Sequence, residues 1–258
     1  MKKIVLKTAL LGSLLVSAAN ADIARVEIGG GVWQQKSDGG ASYNDGIKHG
    51  IYTSSKKTND NAYAWILIKH PIPIIPNIRL EYTQVKDDGV VSGIGFKDFN
   101  LPSGVLSTTA RYEMKQYDII PYYNILDNTM WTTIDIGLDI KVIDATFEAD
   151  NVVVNFLNTP TYKDSQTLAL PLIYGRARVE IPSTNIGLEA DGKYITYSGS
   201  TLYDIRAKVD YTFTFVPVIQ PALEIGYRVQ NYDIKTDDDH TKMNIKFSGV
   251  YAGLMLRF

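Results

Sequence analysis

Val250-Tyr251-Ala252-Gly253-Leu254-Met255-Leu256-Arg257-Phe258 closes a chain of 258 residues. Val250, Ala252, Leu254, Leu256 and Phe258 share one parity, so an extended strand puts all five on one face. The same period of two recurs upstream. From Tyr203 to Phe215, the residues Tyr203, Ile205, Ala207, Val209, Tyr211, Phe213 and Phe215 oppose Asp204, Arg206, Lys208, Asp210, Thr212 and Thr214. Ile134, Ile136, Leu138, Ile140 and Val142 oppose Asp135, Gly137, Asp139 and Lys141, and Leu223, Ile225, Tyr227 and Val229 oppose Glu224, Gly226, Arg228 and Gln230. No stretch has a convincing helical period, so the chain reads as all-β.

Alternation predicts ten strands, at about 23–36, 62–71, 77–86, 108–122, 131–147, 166–181, 186–197, 201–215, 222–235 and 243–258, with ends good to roughly two to four residues. Their connections alternate in length. The turns at 71–77, 124–130, 182–185 and 216–221 are short, whereas 37–61, 86–107 and 148–165 are long and rich in Gly, Asn, Asp and Ser. An even strand count with short turns at one end and long loops at the other describes an up-and-down antiparallel transmembrane β-barrel. Dropping one hairpin would leave eight strands. Three places strain the pattern. Gln116 and Asp118 interrupt an apolar face, which a bulge near Lys115 would repair. Leu168, Leu170 and Leu172 share parity with Arg176, Arg178 and Glu180, so Pro171 is expected at a bulge or above the membrane. Residues 62–68 are apolar on both faces.

The N-terminus fits export. Lys2 and Lys3 precede the uncharged stretch Thr8–Ala19, and Ala19-Asn20-Ala21 fits a cleavage site, so 1–21 reads as a signal peptide and 22–258 as one barrel domain. Removing the leader's three lysines leaves 23 basic against 28 acidic side chains, a formal charge of −5. That balance, with no basic cluster, argues against nucleic acid. The absence of cysteine excludes disulfides and thiol catalysis.

A soluble barrel of lipocalin type would show the same period with its apolar face inside. The mixed-sign density of the polar face argues instead for lipid outside, because such charges neutralise one another across a narrow lumen. So do aromatics expected at strand ends: Tyr122, Tyr123, Trp131, Phe215 and Phe258 at one, Tyr82, Tyr197, Tyr203 and Tyr232 at the other. The segment Glu27–Trp33 with its glycines, the block His70-Pro71-Ile72-Pro73-Ile74-Ile75-Pro76-Asn77 through Thr83, and the ending Tyr251–Phe258 resemble a family of small Gram-negative outer-membrane β-barrel proteins. The resemblance implies fold and location, and no substrate or catalytic residue. An aromatic last residue is also similar to the signal by which the barrel-assembly machinery recognises its clients, which makes Phe258 a candidate assembly signal.

The inward charges are the main candidate site: Arg25, Glu27, Arg79, Glu81, Arg111, Glu113, Asp135, Asp139, Lys141, Arg176, Arg178, Glu180, Glu189, Asp191, Lys193, Asp204, Arg206, Lys208, Asp210, Glu224 and Arg228. They line either a narrow polar pore or a salt-bridged plug, and the plug is slightly favoured because a barrel of this size leaves an interior little wider than its side chains. His240 after Asp237-Asp238-Asp239 resembles the Asp–His pair of omptin-type outer-membrane proteases, but a solvated acidic loop tip is the better reading. His70 beside Pro71 reads as held by its turn rather than as half of a Ser–His pair. The expectation is therefore a monomeric barrel without catalytic activity, cofactor or metal, surrounded by outer-membrane lipid and lipopolysaccharide. It would pass small solutes or bind at its surface through its long loops. An outer-membrane hydrolase and an adhesive surface protein are the alternatives.

Overall fold

Strict alternation leaves each strand one charged and one apolar face, and closing the sheet into a ring is the way to separate the two without leaving an edge. The chain closes in this way in a computed structural model that describes residues 24–215, 219–235 and 240–258. The expected leader, 1–21, lies outside the described residues. The strands are β1 (Arg25–Asn44), β2 (His49–Ser54), β3 (Thr58–Lys69), β4 (Asn77–Gly93), β5 (Gly95–Phe96), β6 (Phe99–Asn100), β7 (Ser107–Thr129), β8 (Thr132–Val154), β9 (Leu157–Ile181), β10 (Ile186–Tyr197), β11 (Ser200–Thr212), β12 (Gln220–Lys235) and β13 (Thr241–Arg257). All pairings are antiparallel. β1 closes the ring against β13, with Glu27 opposite Arg257 and Trp33 opposite Tyr251. β2 and β3 share one wall position, since both lie between β1 and β4. The short β5 and β6 belong to a hairpin off the wall. Ten wall positions result.

The ends of the barrel differ. At the lower end Met130 and Trp131 link β7 to β8 with positive φ at both residues, the geometry of a two-residue hairpin. At the upper end the stretches expected as long loops are mostly strand. β1 and β2 continue the wall through 37–54, and β8 and β9 pair as far as Val154 opposite Leu157. These segments carry polar side chains on their outer face, so they give no lipid-facing alternation to detect.

Neither expected bulge exists. β4 and β7 pair without a break from Asn77 opposite Tyr122 to Ser92 opposite Ser107. Gln116 and Asp118 point inward and Tyr117 and Ile119 outward, so no parity change is needed at Lys115. Pro171 sits in unbroken register opposite Ile140 on β8. Its missing N–H is tolerated because β10 pairs with β9 only up to Tyr194 opposite Ile173. Two expected girdle residues, Tyr122 and Tyr232, are buried inside the barrel, because they share parity with Asp118 and Gln230. Tyr123, Trp131, Phe215 and Tyr197 are exposed on the outside.

In 62–68, the stretch apolar on both faces, Tyr63, Trp65 and Leu67 point inward and Ala62, Ala64 and Ile68 outward. The large inward rings need space, which Gly29 provides. A Cβ at Gly29 would lie 2.5 Å from the Trp65 indole, itself wedged among charged side chains. Gly29→Val should therefore lower stability by about 1–3 kcal/mol through overpacking. The midpoint of urea unfolding in detergent measures it.

Candidate functional site: a charged plug beneath an apolar cup

In the lower and middle barrel the outward face is apolar and the inward face charged. Ile28, Val32, Ile136, Leu138, Ile205, Ile225 and Leu254 are exposed outside, while buried inside are ten carboxylates and nine cations. They form a continuous network. Near the lower mouth, Arg257 bridges Glu27 (3.1 Å) and Asp210 (2.8 Å), and Arg178 reaches Asp210 (2.6 Å), Glu180 (2.7 Å) and Glu189 (3.3 Å). Higher up, Arg176 joins Asp135 (2.6 Å) to Glu189 (2.8 Å), and Lys208 joins Glu224 (2.9 Å) to Glu189 (3.4 Å). Arg228 holds Asp204 at 2.6 Å and Lys141 holds Asp118 at 2.5 Å. Asp139 is held more loosely, with Lys193 at 3.8 Å.

Several bonds cross the lumen. Glu81 on β4 takes Lys193 of β10 at 2.7 Å and Arg206 of β11 at 2.5 Å, four and five wall positions away. Gln116 on β7 and Gln230 on β12, on opposite walls, hydrogen-bond at 3.0 Å. Aromatic rings seal the gaps: Arg79 and Lys208 stack on Trp65 (4.9 and 4.6 Å), Arg228 on Trp33 (5.0 Å), and the Tyr63 hydroxyl donates to Glu224 (2.7 Å). Side chains of this kind, packed across a ten-stranded ring, close it.

Of the residues singled out from sequence, seventeen sit in this network and two, Arg25 and Glu180, sit half-exposed at the lower mouth. Arg111 and Glu113 do not line the lumen. Arg111 is on the outer wall, paired with Asp150 at 3.0 Å, and Glu113 accepts from Gln84 at 2.6 Å beside it. The faces exchange chemistry at that level. Above the Gln116–Gln230 bond the outward residues become mostly polar and the inward ones mostly apolar, with Asp87 kept inside by the hydroxyls of Ser37, Tyr52 and Ser54. On β13, Lys242, Asn244 and Lys246 point out, with Met243, Ile245 and Phe247 inward. Asp118 and Arg257 are network members that the sequence reading omitted.

This exchange builds a second feature, a cup of about 220 Å³ lined chiefly by Tyr52, Tyr112, Met114, Ile143, Phe147 and Ile245. Phe96 and Phe99 of the β5–β6 hairpin roof it, stacked on Phe147 at 5.8 and 6.3 Å. The hairpin is tied to β2 by the Ile94 N–H to the His49 carbonyl (2.9 Å) and to β8 by Asn100 opposite Val153. Tyr232 lines the cup deep in the barrel, and its buried hydroxyl has no hydrogen-bond partner among the described residues. No sequence motif marks these residues; the reversal of polarity at constant parity is the signal that could have found them.

The histidines stand apart from both features. His70 is held by its turn, its Nε2 against the Pro76 carbonyl (3.1 Å) and its Nδ1 accepting the Ile72 N–H (3.2 Å). His240 packs near Tyr43, with ring centroids 6.4 Å apart, and Asp237–Asp239 lie outside the described residues.

No protein-family model matches the sequence, and no curated protein is similar to it. Solved structures do share the fold. The outer-membrane protease OmpT from Escherichia coli is similar over 92% of this chain and 97% of its own, with a TM-score of 0.58 at 12% identity. The toluene transporter TodX of P. putida (TM-score 0.30, 7% identity, 93% and 91% coverage) and Pseudomonas aeruginosa OccK5 (0.23, 9%, 92% and 98%) overlay too loosely to guide a reading. The chain thus has the all-β architecture of outer-membrane barrels. The expectation of a barrel without catalytic activity is overturned here: a protease has the same architecture over nearly its whole length, so the fold gives no ground for excluding catalysis. At this identity the likeness is one of fold, and no catalytic residue carries over.

The inner and outer ion pairs differ in what their loss costs. Glu81→Gln leaves Lys193 and Arg206 short of a buried partner and should cost about 3–5 kcal/mol. Arg111→Ala removes an exposed pair worth about 1 kcal/mol or less. Urea unfolding of both variants against the parent checks the ordering.

Proposed function

We propose that the protein is exported by its leader, assembled in the outer membrane through its Phe258 strand, and there binds a small apolar ligand in the cup, above a lumen shut by the charged plug. This narrows the sequence expectation to surface binding. Solute passage through the lumen is disfavoured by the crossing bonds of Glu81 and Gln116. The long outer segments, expected as binding loops, contribute by raising the wall that encloses the cup, and outer-membrane lipid and lipopolysaccharide surround the belt below.

The observation that carries the reading is the exchange of polarity at one level. Inward apolar side chains above the belt bring no benefit in lipid, and they leave a space where a solid core would be expected. That space compares with the apolar cavity of about 150 Å³ that accepts benzene. A ligand of one to three rings, or a short acyl segment, fits it. The Tyr232 hydroxyl offers one hydrogen bond deep within, which suits a ligand with a single polar group.

The fluorescent dye N-phenyl-naphthylamine should bind the purified, folded barrel at one site. Met114→Lys, which sets a charge in the cup, should weaken it by about tenfold or more. Tyr232→Phe should weaken naphthol while leaving naphthalene unchanged. Folding of each variant is checked by heat-dependent gel migration. Undiminished dye binding by a folded Met114→Lys variant would overturn the reading.

A further inference from the structure

The wall around the cup is incomplete on one side. β8 and β9 rise together to Val154 and Leu157, but β10 and β11 turn back at Tyr197 and Ser200. The last rung between β9 and β10 is Tyr194 opposite Ile173. Among the described residues, β9 from 157 to 172 has a strand on its β8 side only. The cup is lined from β1, β2, β5, β6, β7, β8, β9, β12 and β13, and by no residue of β10 or β11.

Two features keep this side open. The next rungs in register would be Ile195 opposite Leu172 and Thr196 opposite Pro171. Proline has no N–H to extend the ladder, so zipping stops there. Leu168, on the unpaired stretch, lines the cup and is nearly half exposed. Among the described residues the plug forms the floor of the cup and the β5–β6 hairpin lies over it.

The height of the opening indicates what it faces. Tyr194 stands outward on the last rung with Tyr203 opposite it, and the outward residues below are Ile205, Val209, Leu188 and Val179. Tyrosines in such a position mark the boundary between lipid and water. Pro171 is two residues above Tyr194's partner, so the gap opens at the upper edge of the apolar belt.

We infer that the cup is filled from the side: a lipophilic molecule with one polar group, dissolved in the outer leaflet, passes between Leu168–Pro171 of β9 and the β10–β11 hairpin. This rests on the cup being a binding site. A ligand that partitions into membrane is concentrated at the gap and need not cross the roof. Its polar group stays at the boundary until Tyr232 receives it.

The absence of native cysteine allows a clean test. Pro171→Cys with Thr196→Cys puts two thiols on the next outward rung. A disulfide closes the gap and a reductant reopens it in the same folded protein; a short bis-maleimide linker replaces the disulfide if the thiols stand too far apart. The barrel is reconstituted in vesicles, and N-phenyl-naphthylamine is added either preloaded in the membrane or from water. Filling from the membrane should slow at least about tenfold on closure and recover on reduction. Equal rates for the closed and open forms, with binding intact, would overturn the side route and leave the cup standing. Slowing only of the dye added from water would also overturn it. No binding by the reduced form would remove the cup reading and this inference with it.

Discussion

Glu81 is the constraint on which the interior depends. Its carboxylate accepts from Lys193 and Arg206 on the far wall and from Arg79 on its own strand. Through those cations it connects to Asp118, Asp191 and Glu189. Desolvating so many charges is costly, and the cost is recovered only while every partner stays in place. The plug is therefore cooperative: it fixes the distance between opposite walls as a hydrophobic core would in a soluble barrel. With ten carboxylates against nine cations it is almost neutral, which limits the field it projects into the cup.

The cup follows from where that network stops. Lipid requires an apolar exterior, so a strand crossing the belt must turn its charges inward. Above the belt water lies outside, and the same strand turns its charges outward and its apolar groups in. On β13 a single alternating run does both, from Met243, Ile245 and Phe247 inside above to Arg257 inside below. The barrel thus combines a membrane-type lower half with an upper half patterned like a soluble one. The space arises where the two meet, above the Gln116–Gln230 bond. The low β10–β11 hairpin then decides on which side this space is reachable.

Much of the lower half was legible in the sequence. Runs such as Tyr203–Phe215 and Ile134–Val142 state both strand and face, since lipid on one side and charge on the other give an unambiguous period of two. Closure of the ring between its first and last strands is implied by an up-and-down barrel with an even strand count. The upper half was less legible. In Arg111–Asp118 the exchange of polarity looked like a fault in the alternation and suggested a bulge, when parity was constant and the environment had changed. That misreading put Arg111 and Glu113 inside. The cup residues lie on strands far apart in sequence, so no local spacing announces them, and the gap beside Pro171 depends on the unequal heights of two hairpins.

The claim that a side-chain network closes the lumen, making the cup rather than a channel the working part, is tested most directly by current. Single barrels would be inserted into a planar bilayer in concentrated potassium chloride and recorded at both polarities. The account predicts no steady open-state current above that of the bare membrane. A stable, ohmic conductance step with each insertion would contradict it.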